Sequence, residues 1–134
     1  MSDIKTTRVL LTMAARTATV ASAKFIDRAQ QFCRLYVNVT VASGTGGLTV
    51  QLRGYDPVSL EPGNTPAGAF LNGGGTAITA TGVYVIELLM TAGSIVGGVH
   101  DSVARMLPCT WDVNVGVGDA SSYTYSISCE VFPG

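Results

Sequence analysis

The sequence predicts an all-β domain, an antiparallel β-sandwich of jelly-roll or Greek-key type with about eight strands. Two observations carry this. Apolar and polar residues alternate with period two in several separate runs, as in half-buried strands. Those runs are short and are separated by clusters of Gly, Asn, Asp, Ser and Pro, the residues that turn a chain.

Taken in chain order, residues 7–13 and 17–25 read as two strands, with a weaker signal because alanine has little β preference. In residues 35–42, Leu35, Val37, Val39 and Val41 fall on one face and Tyr36, Asn38, Thr40 and Ala42 on the other. After the turn Ser43-Gly44-Thr45-Gly46-Gly47, a second run places Leu48, Val50 and Leu52 opposite Thr49, Gln51 and Arg53, which predicts a hairpin. Residues 56–75 hold Pro57, Pro62, Pro66 and Gly73-Gly74-Gly75 and read as a long loop, a length that a sheet does not require and that function often uses. Residues 75–80 and 83–90 flank the turn signal Thr81-Gly82, with Tyr84, Ile86 and Leu88 inward and Glu87 outward. Residues 102–106 read as a helical turn stopped by Pro108. The last hairpin is the clearest: Trp111, Val113, Val115 and Val117 alternate, 118–121 turn, and Tyr123, Tyr125, Ile127, Cys129 and Val131 alternate again. One domain over residues 1–134 follows, with a short N-terminal arm at 1–7.

Composition narrows the function classes. The chain is 47% hydrophobic and 13% charged with a formal net charge of -1, too apolar for disorder. Two lysines, Lys5 and Lys24, exclude a nucleic-acid coat that works by neutralising phosphates. An ordinary soluble surface is about a quarter charged or more, so this chain is better suited to packing against copies or partners than to standing alone. Lys5 and Arg8 precede the apolar run 9–15, but Asp3 and Arg16 fit a strand better than a secretion signal. No apolar run reaches the length of a membrane helix; the longest, 88–99, is broken by Gly93, Gly97 and Gly98. Cys33, Cys109 and Cys129 are far apart and lack companion histidines, so no zinc site is expected. They read as free thiols in a reducing compartment, although Cys109 and Cys129 could meet across adjacent strands.

The inventory for catalysis is thin. His100-Asp101-Ser102 has the residue types of a triad, but neighbours in sequence do not take up triad geometry and no GxSxG elbow is present, so a polar turn is expected. Glu87, Asp112 and Glu130 fall at outward strand positions, which suits solvated charges. Neither glycine run, 44–47 or 73–75, opens a helix or carries a lysine, so neither is a phosphate cradle. Asn38-Val39-Thr40 matches a glycosylation sequon in mid-strand and reads as coincidence. Trp111, Tyr123 and Tyr125 share the phase of the core valines, which leaves Tyr36 and Tyr55 on polar faces as interface candidates. No enzyme, cofactor or metal is expected.

Four segments in one order carry a resemblance: LLTMAARTATVAS (10–22), YVNVTVASGTGGLTVQLRGYDPVS (36–59), TAITATGVYVIEL (76–88) and LPCTWDVNVGVGDASSYTYSISCEV (107–131). With GYDPVS and LPCTW as the most specific pieces, the chain resembles a group of small virion structural proteins of tailed bacteriophages. Leu60 stands where that pattern has a glycine, and 61–74 is longer than the pattern. The resemblance implies a head decoration (cement) protein, made in the host cytoplasm and bound to the capsid surface. Its partners would be the major capsid protein and copies of itself, as dimer or trimer, with no nucleic acid or membrane. A minor tail or head–tail component, or a glycan-binding receptor-recognition component, is the alternative. The expected contact residues are Arg53, Tyr55, Asp56, Pro57, Leu60, Phe70 and Leu71, helped by multivalent display on a lattice.

Overall fold

The computed structural model describes residues 6–27, 31–55, 68–72, 77–89, 99–104, 107 and 109–133, with the backbone alone for 68–72, 89 and 99–104. Their regular structure is all β: β1 (Thr6–Arg16), β2 (Val20–Ala21), β3 (Phe25–Ile26), β4 (Phe32–Ala42), β5 (Leu48–Gly54), β6 (Gly68–Asn72), β7 (Gly82–Leu89), β8 (Val99–Ala104), β9 (Thr110–Val117) and β10 (Tyr123–Phe132). Eight of the ten exceed two residues. Sheet I has the order β1-β10-β4-β7-β8; sheet II has the order β2-β9-β5-β6, with β3 also on β9. Among the described residues no helix is long and apolar enough to cross a membrane.

Both sheets send their inward side chains into one apolar core. Leu35, Val37, Ile86, Tyr123, Tyr125 and Ile127 come from sheet I, and Leu48, Val50, Leu52, Trp111, Val113 and Val115 from sheet II. The alternation expected for β5, β9 and β10 is borne out along nearly their whole length. It fails at one place in β4: Val41 is 48% exposed. The β4–β10 register shifts between Thr124 and Tyr125, so Thr124 faces Val41 and Tyr125 faces Val39, and a bulge at Thr40 reverses the phase beyond it. Two similar shifts in β1, between Val9 and Leu11 and between Leu11 and Ala14, explain why the adjacent residues Leu10 and Leu11 are both buried.

The expected hairpins are not hairpins. β4 lies in sheet I and β5 in sheet II; β9 lies in sheet II and β10 in sheet I. Each glycine-rich link is therefore an arch that carries the chain across the core from one sheet to the other. Ile78 and β7 repeat the pattern, since Ile78 bridges to Leu48 of sheet II while β7 pairs with β4 of sheet I.

The arches 43–47 and 118–122 are latched side by side. The Gly118 N–H donates to the Gly47 carbonyl at 2.9 Å, and the Gly47 N–H donates to the Tyr123 hydroxyl at 2.8 Å. Asp119 Oδ2 accepts from Thr45 N (3.0 Å) and Gly46 N (2.7 Å), and its Oδ1 accepts from Ser121 N (3.1 Å). These backbone donors hold the Asp119 carboxyl below its usual range, because they favour the charged form. The approach is close enough that a Cβ on Gly46 would lie 2.5 Å from the Gly118 carbonyl carbon, which explains the glycines on both sides.

Three further expectations change. Residues 17–25 form no continuous strand; two short pieces, β2 and β3, lie along β9. β6 pairs with β5 inside the stretch read as a loop, and the first strand begins at Thr6, within the expected arm. His100-Asp101-Ser102 and the expected helical turn begin in β8, which runs parallel to β7, so the edge of sheet I departs from the antiparallel rule. Residues 90–98, which connect β7 to β8, lie outside the described residues.

Candidate interaction surface

The outer face of sheet I ends in the pair Phe132–Phe32 on β10 and β4, and from there the strand registers give four rows crossing β1, β10, β4 and β7 in that order. The first is Thr7, Glu130, Arg34, Glu87, and the second is Val9, Ser128, Tyr36, Val85. In the third, Ser126, Asn38 and Val83 pair directly. Met13 lies at the β1 end of this row, its sulfur 3.6 Å from the Thr40 hydroxyl. The fourth is Ala15, Thr124, Val41. Charge is confined to the first row. Four of the five large apolar side chains that are exposed among the described residues, Val9 (65%), Met13, Val41 and Val83 (59%), sit on this one face; the fifth, Ile26, is in β3 of sheet II.

The charged row is internally paired. Arg34 Nε donates to Glu87 Oε2 at 2.7 Å and its Nη1 lies 3.6 Å from Glu130 Oε1, which also accepts from the Tyr36 hydroxyl at 2.7 Å. Glu87 was expected to be solvated. It is buried instead, because the cross-strand Arg34 supplies the counter-charge that makes burial tolerable. Burial, then the Glu130 carboxylate, raises the Tyr36 phenol above its ordinary value.

The β1 edge of sheet I is guarded. Arg16, at the end of β1, donates to the carbonyls of Thr12 (2.7 Å) and Tyr125 (3.0 Å) and lies 4.8 Å from the centre of the Tyr125 ring. With two bulges in the same strand, this blunts β1 as a template for strand addition. Of these two, the outer face rather than the β1 edge is the candidate surface of sheet I.

The expected contact residues belong to sheet II. Arg53 opposes Asp112 across β5 and β9 and grips it with two bonds, Nε to Oδ1 at 2.8 Å and Nη2 to Oδ2 at 2.6 Å. The Tyr55 hydroxyl donates to the same Oδ2 at 2.7 Å, and Lys24 Nζ sits 4.5 Å over the Tyr55 ring. Asp112, expected to be solvated, is 2% exposed, and Tyr55, expected on an open polar face, is 7% exposed. Burial and the neighbouring carboxylate push the Tyr55 phenol up to about 12. Arg53 and Tyr55 thus form one buried clamp on Asp112. Phe70 and Leu71 lie in β6, Leu71 opposite Leu52 in the backbone register. Asp56, Pro57 and Leu60 lie outside the described residues.

A third buried charge joins the two sheets. Arg8 of sheet I donates to both oxygens of Asp27, and Trp111 Nε1 of sheet II donates to Asp27 Oδ2 at 2.7 Å. Arg8 also lies 4.9 Å from the Phe25 ring centre, and Phe25 packs on Trp111 with centroids 5.2 Å apart. The Arg8 guanidinium holds the Asp27 carboxyl below the usual carboxylate range. Among the described residues, Arg8, Arg16, Arg34 and Arg53 are therefore all bound to carboxylates or carbonyls within the chain.

All three cysteines are free thiols. The two that meet are Cys33 and Cys129, on neighbouring strands of sheet I and both buried, while Cys109 stands apart and half-buried. Their mutual hydrogen bond and burial raise the Cys33 thiol well above its ordinary value. Among the described residues no cluster of three or more His, Cys, Asp or Glu side chains could hold a metal ion.

The apolar residues on the outer face of sheet I were not among the expected contacts. Their signal was present in the alternation of β4, whose outward set Tyr36, Asn38 and Thr40 is uncharged, but Val41 was assigned to the opposite phase. Fold and surface together define an all-β arrangement of two sheets whose described arginines are bound within the chain and whose broad outer face on sheet I carries charge in one described row. No family model, no curated protein and no solved structure matches the chain.

Proposed function

We propose that this chain is a virion structural protein of a tailed bacteriophage, a decoration or cement protein that binds the outer surface of the head and stabilises it. In this reading its two sheets form an antiparallel sandwich of jelly-roll or Greek-key type, with the parallel β8 as an added edge. The observation that carries the assembly role is the outer face of sheet I, where Val9, Met13, Val41 and Val83 stand exposed with only uncharged neighbours in their rows. A face of this kind is what an assembly covers. The virion assignment itself rests on the GYDPVS and LPCTW segments and the order of the four resembling stretches.

The buried clamps Arg53–Asp112–Tyr55 and Arg8–Asp27–Trp111 suit a rigid part of this kind, since each ties two strands through fully engaged charges. The glycan-binding alternative needed an accessible Tyr55, and that ring is buried with its hydroxyl committed. The test is to add purified chain to phage heads that lack it. Saturable binding, with DNA retained at higher temperature, is expected; no binding to heads but incorporation into tails would replace this reading with the tail alternative.

A further inference from the structure

The inner face of sheet I holds two thiols in contact, and we infer that they are an oxidation site: a peroxide-class oxidant joins Cys33 to Cys129 in a disulfide that staples β4 to β10. The strand register places them. Cys33 faces Val131 and Cys129 faces Leu35, so the two cysteines are diagonal neighbours on the same side of adjacent antiparallel strands. Both belong to the apolar core, and the Cys33 thiol donates to the Cys129 sulfur. The pair lies at an end of the two strands, since Cys33 is the second residue of β4 and β10 ends three residues after Cys129. Strand ends open first, and a peroxide is little larger than water, so it reaches sulfurs that are only 1% exposed and that shut out bulkier reagents. The same give lets the diagonal, wider at rest than a disulfide, close to a bond of ~2.05 Å.

The surroundings give the two sulfurs different roles. The hydrogen bond from Cys33 holds the Cys129 thiol below its ordinary value against the opposing effect of burial. The Arg8 guanidinium, opposite Cys129 in the β1–β10 register, acts in the same direction, and Asp27 acts against it. The same hydrogen bond and burial keep the Cys33 thiol protonated. Cys129 is therefore the attacking sulfur and Cys33 the resolving one. In the first step the Cys129 thiolate takes one oxygen of hydrogen peroxide as a sulfenic acid. The S–O bond forms, the O–O bond breaks, and hydroxide leaves as water with the proton that the thiol gave up. In the second step the Cys33 sulfur attacks the sulfenic sulfur, the S–O bond breaks, and the hydroxyl leaves with the Cys33 proton as a second water. Two thiols and one peroxide thus become one disulfide and two waters. The pair sits inside the core, so this holds whatever covers the outer face of sheet I.

Treating the reduced, purified chain with a small excess of hydrogen peroxide in native buffer tests this, read by intact mass and by peptide mapping without reductant. A loss of ~2 Da, a Cys33–Cys129 cross-linked peptide and reversal by dithiothreitol are expected for the wild type and for Cys109→Ala. Cys33→Ser keeps a donor for Cys129 but no resolving sulfur, and should instead gain ~16 Da and react with dimedone at Cys129. Cys129→Ser should slow the peroxide reaction at Cys33 by about tenfold or more relative to that of Cys129 in Cys33→Ser. The stapled wild type should unfold at a urea midpoint higher by roughly 1 M, because the link closes most of the chain into a loop. Native oxidation confined to Cys109, or a Cys33–Cys129 link that forms only in urea, would overturn the site, and both are read on the wild type itself. Equal peroxide reactivity of Cys129 in Cys33→Ser and of Cys33 in Cys129→Ser would overturn the division of roles.

Discussion

Replacing Asp27 tests whether the two sheets are joined by a buried charge rather than by apolar packing alone. Its side chain is 5% exposed and accepts from Arg8 through both oxygens and from Trp111 Nε1 at 2.7 Å. Asp27→Ala leaves the indole N–H of the fully buried Trp111 without a partner, at about 1–3 kcal/mol. It also leaves Arg8 unpaired, but the Arg8 side chain is 23% exposed and can recover water, so this adds only about 1 kcal/mol rather than the full cost of an orphaned buried charge. The expected total is about 3 kcal/mol, or a fall of roughly 10 °C in Tm for a domain of this size. Asp27→Asn keeps an oxygen for the indole and should cost about 1–2 kcal/mol. Urea unfolding followed by the fluorescence of the single tryptophan reports both numbers from inside the site.

The pH dependence adds a second constraint. Because the Asp27 carboxyl is held below its ordinary 3.8, its contribution is complete above that value and is lost as pH falls toward the lower folded value. The stability gap between wild type and Asp27→Asn should therefore be constant near neutrality and close below about pH 4. A cost below about 0.5 kcal/mol for Asp27→Ala, typical of a surface change, would refute the inter-sheet role of this carboxylate.

Three other perturbations have definite expected outcomes. Tyr55 ionises near 12 in the folded chain against about 10 when unfolded, so its contribution is whole below pH 10 and lost as pH rises toward 12. Alkaline unfolding should cost up to about 2–3 kcal/mol over that window, and Tyr55→Phe should flatten the profile. Gly118→Ala would drive a Cβ into the Gly46 backbone and should destabilise by about 2 kcal/mol, whereas Gly116→Ala, whose Cβ would meet nothing nearer than 4.0 Å, should be neutral or slightly stabilising; equal urea midpoints for the two would contradict the latched arches. A thiol reagent should label Cys109 first and reach Cys33 and Cys129 only on unfolding, because both are 1% exposed, and rapid native labelling of either would contradict their burial.

Much of the core was legible in the sequence because strand alternation is a local property. Tyr123, Tyr125, Ile127, Cys129 and Val131 are buried for the same reason that they recur at every second position. The partners of those strands were not legible. A five-residue glycine-rich link serves a hairpin or an arch equally well, and the choice depends on whether the flanking strands find better neighbours elsewhere, as β4 does with β10 and β7. The same limit applies to charge. The phase of β9 correctly puts Asp112 on the outer side of sheet II, but its burial depends on Arg53 across the sheet and on Tyr55 folding over it. Bulges set the remaining boundary: one extra residue near Thr40 moves Val41 from the expected core to the exposed face that carries the functional proposal.

The most direct measurement is the number of copies of this chain in purified virions, by quantitative gel against the major capsid protein. A decoration protein displayed on a lattice should be present on the order of hundreds of copies, in fixed ratio to the capsid protein, since multivalent display is what lets modest contacts hold. A handful of copies per particle, or none, would contradict a role on the capsid surface.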